Sequence, residues 1–78
     1  MSMASVNRHF QHVIGNAAAS RGCTMEYERG EDGKQRQRLT CTVVLPNGDE
    51  QTVSGLYDGD ADLVLAADHL ANEFLGGL

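Results

Sequence analysis

No lysine or arginine occurs in the second half of this sequence. Residues 39–78 hold seven carboxylates and no basic side chain, a net of −7. Residues 1–38 hold all six bases (Arg8, Arg21, Arg29, Lys34, Arg36, Arg38) against four acids, a net of +2. The whole chain stands at −5. Lys and Arg that neutralise phosphates supply most of the affinity for nucleic acid. A chain so charged is excluded as a general nucleic-acid ligand, and only one basic corner is left to consider. No apolar run approaches the roughly 18 residues that a membrane span needs, so no membrane partner is expected. The opening "MSMASVNRHF" lacks the apolar core of a secretion signal. Cysteine is scarce. Cys23 and Cys41 are too few for a disulfide scaffold, which points to a reducing, intracellular setting, cytoplasmic or nuclear. A hairpin centred near residue 32 sets them opposite each other on the inward face, where disulfide geometry is strained, so they are expected as buried thiols, with a disulfide as the alternative. At 78 residues the chain makes one small domain, 1–78, of marginal stability unless it dimerises or docks.

The hydrophobic pattern is legible. Val6, Phe10, Val13, Ile14 and Ala17 fall on one stripe at helical spacing, which predicts a helix over 4–21 that Gly22 ends. The period then changes to two. Cys23, Met25 and Tyr27 alternate with Thr24, Glu26 and Glu28 in a first strand. "GEDGKQR" is a polar loop. "RLTCTVVL" is a second strand, with Leu39, Cys41, Val43 and Leu45 on one face. "PNGD" supplies turn chemistry, "EQTVSG" a short third strand, and Tyr57–Gly59 a loop. Leu63, Ala66, Ala67, Leu70 and Phe74 mark a closing helix over about 60–75, stopped by Gly76 and Gly77. The fold class is therefore α+β, in the order α-β-β-β-α: a three-stranded antiparallel sheet with two helices packed on one face.

This pattern resembles the double-stranded RNA-binding domain over nearly the whole chain. The residues that carry the likeness are the Tyr-bearing first strand, the loop "GEDGKQRQR", the strand "LTCTVVL" with its "NG" turn, and the small pair Ala66-Ala67 followed by Leu70, Phe74 and Leu75. The family grips duplex RNA through its first helix, the loop between strands 1 and 2, and a Lys-rich start of its second helix. Here that last position reads "DGDAD", and the loop lacks the family's Gly-Pro-x-His signature. Asp58, Asp60 and Asp62 are read as helix caps and dipole partners that exclude phosphate. A calcium loop is disfavoured because Leu63 stands at its sixth place and His69 at its twelfth.

No pair of side chains has the spacing of a catalytic or metal site. His9 and His12 read as a solvated helix face and His69 as a core-margin residue, and neither enzyme nor cofactor is expected. The resemblance implies a module that has lost its basic clamp and serves protein interaction or homodimerisation. Val53, Leu56, Val64, Leu65 and Leu75 are its candidate surface, shared between a third strand without Lys or Pro to blunt its edge and the second helix. The alternative is weak duplex-RNA binding through Asn7, Arg8 and Gln11 on the first helix and Lys34, Arg36 and Arg38 in the basic loop, with Arg21 nearby. A small acidic mimic of nucleic acid is a third reading, set last because few acids beyond the start of the second helix are clustered.

Overall fold

A computed structural model describes residues 2–78. It contains α1 (Met3–Ile14), β1 (Ala19–Arg29), β2 (Gln35–Val44), β3 (Glu50–Asp58) and α2 (Leu63–Gly76). The strands form one antiparallel sheet in the order β1-β2-β3. This is the expected α-β-β-β-α arrangement. The alternation of β2 decides which face the helices cover: Gln37, Leu39, Cys41 and Val43 are buried, and the residues between them are half-buried on the outer face. Val6, Phe10 and Ile14 of α1 and Ala66, Ala67, Leu70, Ala71 and Phe74 of α2 complete the core. Burying a side chain such as Phe10 or Leu39 stabilises the fold by about 1.5–3 kcal/mol.

Three boundaries differ from the pattern-based reading. The first helix stops at Ile14, not near residue 21. Gly15 takes φ 59°, open to a residue without Cβ, and its N–H closes on the Gln11 carbonyl at 3.0 Å. Ala17–Ala19 are good helix formers, but residues 19–22 are drawn into pairing with Val44–Thr42. The pairing shifts between Ser20 and Gly22, so Arg21 is the extra residue of a bulge. The second boundary is β3, which runs on through Tyr57 to Asp58. The third is α2, which begins at Leu63, so Asp62 alone caps it: its carboxylate accepts from Val64 N–H at 2.8 Å and Leu65 N–H at 3.4 Å. Asp58 lies on the strand and Asp60 in the turn.

The cysteines require a correction. The hairpin is centred on residue 32, so Cys23 and Cys41 stand directly opposite each other on the inner face, Cα atoms 4.2 Å apart. They are joined in a disulfide, not present as two thiols. Register explains it: on facing strands at one level their side chains converge under α1. The inference of a reducing compartment from the cysteine count is therefore withdrawn. No described helix is long and apolar enough to cross a membrane.

Candidate interaction surface on the third strand and second helix

β3 is an edge strand, and its geometry can be built from the hairpins. Leu45 N–H donates to the Asp49 carbonyl at 2.8 Å, so odd-numbered residues of β2 direct their backbone groups towards β3. Their partners Val53, Gly55 and Tyr57 reciprocate. Backbone direction alternates along a strand, so Thr52, Ser54 and Leu56 direct N–H and C=O to the open edge. Residues 51–57, "QTVSGLY", carry no charge, and the acids Glu50 and Asp58 stand only at the ends. Nothing in that run blunts pairing with another strand.

Behind this edge lies a groove of about 260 Å³ between β3 and the end of α2. Val53, Leu70, Phe74 and Leu78 supply its apolar lining, and Gln51 and Glu73 its polar rim. Of the residues proposed from sequence, Val53 lines this groove and Leu56 is 47% exposed on the outer sheet face. Leu65 is 69% exposed on α2. Val64 and Leu75 are half-buried against the core. Val64 also borders a separate cleft with Ser5, Arg8, His9 and His12 between the helices. The five do not form one patch of equal exposure: Val53 and Leu56 lie on opposite faces of β3.

Gly55 and Tyr57 organise the other end of the strand. A Cβ at Gly55 would fall 2.7 Å from the Tyr57 hydroxyl, so the ring lies back along the inner face where Gly55 leaves room. There the phenol meets His69 Nδ1 at 3.0 Å, and His69 Nε2 stands 3.4 Å from Glu73. The two rings are edge-to-face, centroids 5.8 Å apart. Burial first, then the nearby Glu73 charge, pushes the Tyr57 phenol above its ordinary pKa. Tyr57 and His69, which pattern-reading assigned to a loop and to the core margin, thus join β3 to α2. The signal that could have found them is the pairing of a glycine two residues before an aromatic at a strand end.

The basic corner is assembled but not free. Arg36 Nη2 pairs with Asp32 at 2.9 Å, and its Nε stands 4.0 Å from Asp58. Arg38 pairs with Glu28 on the outer face of the sheet. Asp32 holds Lys34 N–H at 3.0 Å, and this bond, then Arg36, lowers its carboxyl below the ordinary range. Arg21 is exposed, 4.0 Å from Glu50. Among the described residues only Arg8 and Lys34, of those proposed for RNA, have side chains without a polar partner.

Asn7 and Gln11, proposed as minor-groove contacts, are committed to the fold. Asn7 Oδ1 accepts from the Ser20 hydroxyl at 2.5 Å and lies 3.8 Å from the Cys23 sulfur, which as half of a disulfide has no proton to donate. Gln11 donates to the Gly15 and Ala18 carbonyls, both at 3.1 Å, and accepts from Ser20 N–H at 2.6 Å. Reading the end of α1 too late hid this role. Gln37, read as part of a polar loop, is buried and donates to the carbonyls of Asp58 at 3.0 Å and Ala61 at 3.1 Å. It fixes the turn that follows β3, with Asp58 and Asp60 beside the Lys34–Arg36 segment. Gly59 presses on the same segment, where a Cβ would meet the Gln35 carbonyl at 2.6 Å. The acidic and basic loops therefore screen each other.

His9 Nε2 bridges the helices to Asp68 at 3.0 Å, and the His9 and His12 rings lie 6.5 Å apart. Among the described residues no cluster of three His, Cys, Asp or Glu is placed to hold a metal ion. No family model, curated protein or solved structure matches the chain.

Proposed function

We propose that the chain is a non-catalytic module of the double-stranded RNA-binding type that has given up its basic clamp and works by protein interaction, specifically by self-association along β3 and the adjoining face of α2. The observation that carries this reading is the open β3 edge: within an uncharged run of seven residues, Thr52, Ser54 and Leu56 present unpaired backbone groups beside an apolar groove. The start of α2 supports it from the other side. A helix N-terminus favours an anion, but here Asp62 already fills that role and Asp60 adds like charge, with Arg36 opposed by Asp32 and Asp58.

Weak duplex-RNA binding is the competing reading. It retains Arg8 and Lys34 as its uncommitted cations, since Asn7, Gln11, Arg36 and Arg38 are engaged within the fold. Sedimentation equilibrium across concentration tests the proposal, with a duplex-RNA titration alongside. A concentration-dependent dimer and no duplex binding supports self-association. A strict monomer with salt-sensitive duplex binding would replace it with the competing reading.

A further inference from the structure

Resting on that self-association, we infer that two copies pair their β3 strands antiparallel about a two-fold axis through Gly55, making one six-stranded sheet with all four helices on one face.

Edge direction and charge select this register. Even-numbered residues of β3 direct their backbone groups outward, so an antiparallel partner must set even against even and odd against odd. Five centres keep five or more residues paired, and centring on Thr52 shortens the pairing to residues 50–54 and leaves Leu56 and Tyr57 outside it. Centring on Ser54 uses all nine residues of β3 but opposes Glu50 to Asp58 at both ends, like charges directly across the ladder. Centring on Val53 opposes Glu50 to Leu56 and leaves Tyr57 outside the paired segment. Centring on Leu56 shortens the pairing to residues 54–58.

Centring on Gly55 pairs residues 52–58 and places Glu50 beyond the ladder. On the outer face Ser54 then stands opposite Leu56, and Thr52 opposite Asp58. On the inner face Val53 stands opposite Tyr57 twice, a β-branched residue against an aromatic, which is a favourable cross-strand pair. Each Tyr57 reaches the mouth of the other copy's groove beside Val53. The two Gly55 residues meet on the axis, where the absence of side chains already accommodates each Tyr57 ring. The opposite sheet edge is unsuited to the same pairing: β1 carries Arg21, Glu26, Glu28 and Arg29 and is bent by its bulge.

The test is an isotope-filtered NOE experiment on an equal mixture of labelled and unlabelled full-length protein, run with sedimentation equilibrium on the same sample. The register requires contacts from Val53 of one copy to Tyr57 of the other, and between the two Gly55 residues. A dimer that instead shows Val53 to Gly55, or Gln51 to Tyr57, across copies overturns the register and leaves self-association standing. A monomer at every concentration removes both. Leu56→Lys, on the exposed outer face, is expected to abolish the dimer with an unchanged monomer spectrum. A dimer that survives this substitution overturns the β3 interface.

Discussion

Gln11 Oε1 accepts a hydrogen bond from Ser20 N–H at 2.6 Å, while its amide nitrogen donates to the Gly15 and Ala18 carbonyls. One side chain thereby satisfies three backbone groups where helix gives way to strand. Gln11→Ala leaves these partly buried groups without that partner and is expected to destabilise the fold by about 1–3 kcal/mol. The value can be read from the midpoint of urea unfolding, which moves with little change in slope if the unfolded state is unaffected.

Gly55→Val is expected to expel the Tyr57 ring, because the new side chain occupies the ring's place. The hydrogen bond to His69 and the packing between β3 and α2 are lost together. A destabilisation of about 1–3 kcal/mol follows from such overpacking, and the near-ultraviolet tyrosine signal should fall. A variant that keeps the wild-type tyrosine environment and stability would contradict the placement.

Capping distinguishes the aspartates from one another. Asp62→Ala removes the acceptor for Val64 and Leu65 N–H and should cost about 1 kcal/mol. Asp60→Ala removes no cap and should stay within about 0.5 kcal/mol of wild type. Equal losses for the two would mean that the helix begins earlier than Leu63.

The stability should depend on pH at both extremes. Burial and Glu73 raise the Tyr57 pKa in the folded state, so the folded chain holds that proton more tightly than the unfolded one. The resulting contribution is fully present below the unfolded value of about 10 and is lost as pH rises through the folded value. Tyr57→Phe should flatten the alkaline limb of the stability profile. Asp32 has the opposite sign: Lys34 N–H and Arg36 lower its carboxyl, so its contribution is present above an unfolded value of about 3.9 and is lost as pH falls through the folded value. Asp32→Asn should soften the acid limb only.

Salt separates the two functional readings by sign. Two chains of net charge −5 repel, so screening should strengthen self-association. Duplex-RNA binding would weaken steeply over the same range. A dimer constant measured at low and at high salt, beside a mobility shift under both conditions, decides between them.

The order of elements, the strand faces and the opposition of Cys23 to Cys41 were all readable from periodicity, because burial on one side of a sheet imposes period two. The end of α1 was not. Ala17–Ala19 favour a helix locally, yet ladder bonds to β2 and the Gln11 side chain outweigh that preference, and neither is visible in a local window. The disulfide was set second because directly opposed cross-strand cysteines are a strained pair, yet the register brings Cys23 and Cys41 together and they join. The candidate surface was only partly legible: the uncharged β3 edge is written in the sequence, but the berth of Tyr57 and the groove beside Val53 require knowing where α2 lies. The engagement of Asn7, Arg36 and Arg38 depends on pairings between distant segments, which composition cannot supply.

The close approach of Gly59 to Gln35 also dictates where this scaffold will accept cargo. A fluorophore, an epitope tag or an inserted peptide at residue 59 would pry the loop off the hairpin and tilt the cap of α2 with it. The exposed tip at residues 47–48 faces no such obstruction and is the site to graft.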